Sequence, residues 1–163
     1  MISGVYDQRP VEMRSDVLVY STEPLEQDLE VTGPITVVLY AASSARDTDF
    51  TAKLVDVEPS GYSRNLTDGI IRARYLNQNG PTSLIQAGTI YKYEIDIWAT
   101  SNVFKKGHQI RLEISSSNFP RFDRNTNTGN PIGEDKDYVS ALETVYHNAD
   151  YPSHVVLPVI PVE

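Results

Sequence analysis

Cysteine is absent from the 163 residues. No disulfide framework, thiolate nucleophile or thiolate metal ligand is available, and the compartment stays open between cytoplasmic and secreted. Basic residues are scarce: 14 Lys and Arg stand against 22 Asp and Glu, for a formal net charge of −8. With no basic run either, such a surface repels phosphate backbones and disfavours nucleic-acid and anionic-membrane partners. No apolar stretch approaches the roughly 20 residues of a membrane-spanning helix, and the first residues show no signal-peptide pattern. A nucleophile elbow of the form Gly-x-Ser-x-Gly is missing. So is any convincing amphipathic helix.

What is present is a β pattern. Hydrophobic residues make up 40% of the chain and include ten Tyr, four Phe and one Trp. That is enough to build a core. Ten Pro and nine Gly are scattered rather than clustered, as turns between short strands require. Residues 107–129 dominate. Ile110, Leu112 and Ile114 alternate with Arg111, Glu113 and Ser115, the period of a strand with one face in a core and the other outward. A polar loop carrying Phe119, Pro120 and Phe122 follows.

Further strands are expected over Val17 to Tyr20, around Leu29 to Val31, over Ile35 to Ala42, Phe50 to Glu58, Ile70 to Tyr75 and Tyr91 to Trp98, at Thr144 to Tyr146 and over His154 to Val159. Pro10 should break any early element. Asp68-Gly69 reads as a hairpin turn, and Pro158 and Pro161 place the last strand at an edge. Eight or nine strands with turn signals, no repeat and no linker predict one antiparallel sandwich.

Chemistry-bearing side chains are few. His108, His147 and His154 could serve a triad only if a serine and a carboxylate were brought to them, and three ordinary rim histidines is the simpler reading. Asp47 and Asp49 in one loop could offer oxygens to calcium, with Asp56 or Asp68 nearby. Calcium wants six or more ligands, so an ion pair is favoured, and no metal or cofactor is expected. Arg72 and Arg74, two apart on an expected strand, share a face and need anions. Asp47, Asp49 and Asp68 are the candidates, in a charge cluster pinning loops to the sheet. Tyr91 and Tyr93 with Trp98 suggest a sugar-stacking stripe, but the tyrosines share a face with Ile95 and Ile97 and so belong first to the core. In the loop after residue 115, Phe119 and Phe122 either plug the end of the sandwich or, with Arg121, dock on another domain.

Several motifs in order carry a resemblance: Asp7-Gln8-Arg9-Pro10, Leu29-Glu30-Val31-Thr32-Gly33-Pro34, Asp47-Thr48-Asp49-Phe50-Thr51-Ala52-Lys53-Leu54-Val55-Asp56-Val57, Asn65-Leu66-Thr67-Asp68-Gly69-Ile70, Trp98-Ala99-Thr100-Ser101, Ser115-Ser116-Ser117-Asn118-Phe119-Pro120-Arg121-Phe122-Asp123-Arg124-Asn125 and His154-Val155-Val156-Leu157-Pro158. Together they resemble, over nearly the whole chain, the C-terminal domain of the CocE/NonD serine hydrolases. These comprise cocaine esterases, X-prolyl dipeptidyl-peptidases and α-amino acid ester hydrolases.

The resemblance implies an all-β jelly-roll sandwich, galactose-binding-domain-like, spanning residues 1–163 as a C-terminal accessory domain. It places the Ser-Asp-His triad in an upstream α/β-hydrolase domain, so no catalytic residue is assigned here. The partners it implies are that hydrolase domain and a cap domain, with Phe119, Arg121 and Phe122 docking and the domain shaping substrate access. A carbohydrate-binding module is the alternative. In such relatives the domain begins some tens of residues earlier with an added strand. One sheet edge is therefore expected to lack its partner and to invite self-association.

Overall fold

The computed structural model describes residues 5–77 and 80–161. Eight strands form among them: β1 (Leu18–Ser21), β2 (Leu29–Ser43), β3 (Asp49–Val57), β4 (Ser63–Arg72), β5 (Tyr91–Phe104), β6 (Gln109–Ser115), β7 (Glu143–Tyr146) and β8 (His154–Val156). One antiparallel sheet has the order β1-β6-β3-β4. The other has the order β5-β2-β7, and β8 also pairs with β2. The two sheets face each other as a jelly-roll sandwich. Val37, Leu39, Tyr93, Ile95 and Ile97 come from one sheet, and Phe50, Leu54 and Ile114 from the other; all are buried. Of these, Tyr93, Ile95, Ile97 and Ile114 are marked as inward by their period of two, whereas β2 and β3 are buried on both faces, so the alternation of β5 and β6 sets which faces meet.

Local departures from the sequence expectation have physical causes. The two early segments around Leu29 and Ile35 are one 15-residue strand. Gly33 adopts φ 136°, a value side chains resist, and the pairing with β5 shifts register between Pro34 and Thr36. The Gly-Pro punctuation is thus a bulge rather than a break. Pro10 does not exclude an early element: it sits in the first turn of a short helix, α1 (Arg9–Glu12), where its missing N–H costs nothing.

Asp68-Gly69 is not a turn. Both residues lie inside β4, paired with Lys53 and Ala52, and the hairpin is made at Pro59 to Gly61, where Gly61 N–H donates to Glu58 O at 2.8 Å. Gly69 is needed for a different reason. β5 crosses it so closely that a Cβ there would lie 2.1 Å from the Asp96 carbonyl oxygen. β4 ends at Arg72, earlier than expected, and Ala73–Tyr75 form a 3-10 turn. The terminal strand is three residues long, with only an isolated bridge from Val159 back to Val31.

β1 is an edge strand and all four of its residues are exposed. Its inward positions, Leu18 and Tyr20, stand opposite Ile114 and Leu112, yet little covers them. The side of the sandwich between β1 and the β7/β8 edge is left open by a cleft of about 300 Å3, lined by Val37, Leu39, Ile110, Leu112, Val145 and Leu157. Tyr20 and His147 meet edge-to-face beside it, with ring centroids 5.8 Å apart.

The crossing at Gly69 gives a sharp expectation. Gly69→Ala should lower stability by on the order of 3 kcal/mol, because backbone rather than a mobile side chain must move. Gly61→Ala, at φ 84° with nothing near its missing Cβ, should cost only about 1 kcal/mol of backbone strain. Urea unfolding of the two variants measures the gap, and equal losses would contradict the crossing geometry.

Candidate functional site

The β2–β3 connection turns inward and buries Asp47, Thr48 and Asp49 almost completely. A carboxylate in such a place must be paired and hydrogen-bonded. Arg72, directly opposite Asp49 in the β3/β4 register, grips it with Nε at 2.8 Å and Nη2 at 3.0 Å. Arg74 lies in the 3-10 turn rather than on a strand. It reaches Asp47 twice, its backbone N–H donating to Oδ1 at 3.0 Å and its Nε to Oδ2 at 2.8 Å. Asn125, which the sequence did not single out, donates from Nδ2 to Asp47 Oδ2 (3.1 Å) and to Asp49 Oδ1 (2.8 Å). The structure therefore brings Asp47, Asp49, Arg72 and Arg74 together and adds Asn125 as the bridge.

The outer ends of the two guanidiniums hold the long loop. Arg72 Nη2 donates to Asp123 O at 3.4 Å and Arg74 Nη2 to Asn130 O at 2.9 Å. Thr126, Thr128 and Asn130 all donate to Asp135 Oδ2. Asp68 does not join the cluster. It accepts from Asn118 Nδ2 at 3.0 Å and pairs with Arg121 Nε at 3.2 Å, which fixes the start of the same loop. A loop without regular structure is thus tied at Asn118, Asp123, Asn125 and Asn130.

On this fixed loop Phe119 is 55% exposed and the Arg121 side chain 52% exposed. Neither plugs the sandwich. Arg124 lies over the Phe119 ring at 4.4 Å and Arg121 over the Phe122 ring at 5.6 Å. Phe122 is half-buried and lines a shallow depression with Ile70, Tyr75 and Ile132.

The other candidates separate. His108 Nδ1 bonds the buried Asp56 at 2.8 Å, His147 packs on Tyr20, and His154 Nδ1 donates to Pro152 O at 2.7 Å. Among the described residues no serine hydroxyl bonds any of the three rings, so no triad is assembled. The oxygens of Asp47 and Asp49 are taken by Arg72, Arg74 and Asn125, and among the described residues no three His, Asp or Glu side chains converge as a metal set. Tyr93 is fully buried against Phe50, with centroids 4.8 Å apart. Trp98, at φ 67°, is exposed on the outward side of β5, away from the inward tyrosines. The tyrosines and the tryptophan therefore form no common platform.

The alternation of β6 places Glu113 outward, and it does point away from the core. It is nevertheless only 3% exposed, because α1 covers that face. Its neighbours there are Glu12 from α1, Arg111 from its own strand and Lys53 opposite on β3. No donor reaches either of its oxygens, and its one side-chain hydrogen-bond neighbour is the Glu12 carboxylate, to which only a protonated Glu113 can donate. Burial above all pushes this carboxyl up to about 7; Lys53 pulls it down and the Glu12 carboxylate pushes it up again.

Two outcomes follow. A folded-state value of about 7 lies above the ordinary 4.5, so the fold favours protonated Glu113. Stability is full below the ordinary value and falls as pH rises through 7, by on the order of 2 kcal/mol between pH 5 and 8. Glu113→Gln should flatten that slope in urea titrations at the two pH values; an unchanged slope contradicts the burial argument. Arg72→Met strands the Asp49 carboxylate and should cost about 3 kcal/mol. Limited proteolysis should then cut near Asp123, and a variant as resistant as the parent would show that the loop does not depend on Arg72.

Comparison with known proteins fits this geometry. Residues 3–156 match the family described as the X-Pro dipeptidyl-peptidase C-terminal non-catalytic domain. A cocaine esterase of Rhodococcus sp. (strain MB1 Bresler) is 50% identical over 160 residues, covering 97% of this chain and 28% of the esterase. An aminopeptidase from a marine sediment Thaumarchaeota archaeon superposes with a TM-score of 0.91 at 32% identity, over 96% of this chain and 28% of its own. An α-amino acid ester hydrolase does so with a TM-score of 0.90 at 32% identity, over 96% and 27%. The chain thus spans little more than a quarter of the length of these relatives. It belongs to the family of X-Pro dipeptidyl-peptidase C-terminal non-catalytic domains of the CocE/NonD hydrolases.

Proposed function

We propose that residues 1–163 serve as the accessory domain of a larger serine hydrolase, packing on an upstream α/β-hydrolase domain and helping to wall its substrate cleft. Acyl transfer through a serine ester belongs, in this reading, to that upstream domain. One observation carries the docking surface: Phe119 and Arg121 are exposed on a loop tied to the sheet at Asn118, Asp123, Asn125 and Asn130. Exposed aromatic and guanidinium groups on a pre-ordered loop lose little entropy when a partner covers them. Phe122 belongs to the same surface through its exposed margin. The charge cluster of Asp47, Asp49, Arg72 and Arg74 acts as the support behind it. The sequence holds no serine elbow, and among the described residues no serine hydroxyl is hydrogen-bonded to a histidine, so the acyl chemistry is assigned to the upstream domain.

The open β1 edge is a second surface in this reading, and self-association through it is expected where nothing covers it. Sedimentation over a hundredfold concentration range should show mass rising with concentration; a monomer throughout would refute this part.

The docking claim is tested by grafting. Residues 1–163 replace the matched C-terminal region of the Rhodococcus cocaine esterase. The graft should hydrolyse esters, the isolated chain should not, and the double variant Phe119→Ala/Arg121→Ala in the graft should lower activity at least about tenfold, equivalent to 1.4 kcal/mol. Hydrolysis by the purified isolated chain, or an inactive graft, would overturn the reading.

A further inference from the structure

The exposed tryptophan has no role in the fold as described. Trp98 is the only tryptophan and is 64% exposed, at an outward position of β5 directly after the fully buried Ile97. Its backbone lies at φ 67°, the left-handed region that a bulky side chain rarely occupies. Two contacts hold that conformation. The Trp98 N–H donates to Asp96 Oδ1 at 2.8 Å, and Thr67 Oγ1 donates to the Ile97 carbonyl. Outward is the side that the alternation assigns it; the departure lies in the backbone, because after Trp98 the parity changes, Ala99 being exposed as well and Phe104 the next buried residue of β5.

A depression of about 320 Å3 lies beside the indole. Its lining includes Asn65, Thr67, Asp68, Arg121 and Val5. Asp68 is 93% buried, at 7% exposure, and although Arg121 Nε stands 3.2 Å from its Oδ1, that oxygen accepts no well-formed hydrogen bond. Only the Nε of Arg121 is used on this side, so most of the five guanidinium N–H donors remain for an acceptor from outside. Val5 is the first described residue, and it lines the same depression.

We infer that Trp98 is the anchor by which this domain seats on the upstream hydrolase domain, the indole entering an apolar socket while Arg121 receives a carboxylate or carbonyl oxygen from its rim. This rests on the accessory-domain reading and deepens it, since it extends the contact from the Phe119 loop across the Asp68–Arg121 pair to β5. The occupant is a folded surface of the same polypeptide. It is not a free ligand, because the depression is shallow and this chain spans only 28% of the esterase it matches, so that a larger polypeptide is there to cover the face. Buried aromatic and arginine side chains next to one another are what dominates such interfaces. A strained backbone that presents one of them has no return within the isolated domain.

The test compares one substitution in two settings. Trp98→Gly relieves the positive φ, so in the isolated chain the Tm should stay level or rise. In the cocaine-esterase graft the same substitution should lower the Tm by several degrees and shorten the half-life of ester hydrolysis at elevated temperature several-fold. Trp98→Asn, which also tolerates this backbone, should repeat both shifts and guards against an effect of glycine flexibility. Equal Tm losses in both settings would make Trp98 a purely internal residue and overturn the inference. So would a graft that both variants leave unchanged. An unsubstituted graft that fails to hydrolyse esters sinks the accessory-domain reading itself, and the anchor with it. A working graft indifferent to Trp98 sinks the anchor alone.

Discussion

Two buried carboxylates, two guanidiniums and one carboxamide decide what the surface of this domain can be. Asp47 and Asp49 lie where water cannot reach them, so their charge is tolerable only while Arg72, Arg74 and Asn125 stay in place. Each of those three belongs to a different piece of chain: the end of β4, the turn after it and the long loop. Folding the sandwich core places the carboxylates, the carboxylates recruit the guanidiniums, and the guanidiniums fix Asp123 and Asn130 of the loop. Burial of apolar area drives the fold, but it would leave the loop free. The charge cluster transfers the rigidity of the sheet to Phe119, Arg121 and Phe122.

The same face carries a second device of opposite character. The cluster stores favourable pairing, whereas Trp98 stores strain, on the order of 1–2 kcal/mol for a left-handed non-glycine residue. Gly69 makes the arrangement possible, because only a residue without Cβ lets the Asp96 carbonyl approach β4 so closely. Asp68, its neighbour in sequence, holds Arg121 and Asn118. Two adjacent residues of β4 thus connect the bent part of β5 to the loop from Asn118 to Arg124. The opposite side of the molecule, the cleft between β1 and the β7/β8 edge, is apolar and has no comparable support.

Much of the architecture was legible in the sequence, for a physical reason. A strand with one face in a core must alternate, so β5 and β6 could be read directly from Tyr93, Ile95 and Ile97 and from Ile110 and Ile114. Family motifs spread along the chain supplied the topology that periodicity alone leaves open. What escaped depends on contacts between segments remote in sequence. Asp68-Gly69 carries the local chemistry of a turn, and only the crossing of β5 makes it a strand interior. Glu113 occupies an outward position, and only the packing of α1 buries it. Pairing of Arg72 and Arg74 with acidic neighbours could be anticipated from charge, but their true geometry, one on a strand and one in a 3-10 turn, could not. Asn125 gave no signal among many loop asparagines, and although the periodicity of β5 places Trp98 outward, nothing in it foretold the left-handed backbone there.

The central claim is that the face formed by Trp98 and the loop from Asn118 to Arg124 is ordered in advance and covered by a partner domain. Amide hydrogen exchange measured on the isolated chain and on the esterase graft tests it most directly. The claim predicts appreciable protection of the loop in the isolated chain, with a further slowing in the graft confined to residues 96–100 and 118–124. A loop that exchanges at the rate of unstructured peptide in the isolated chain would contradict the first half, and identical exchange at those residues in both proteins would contradict the second.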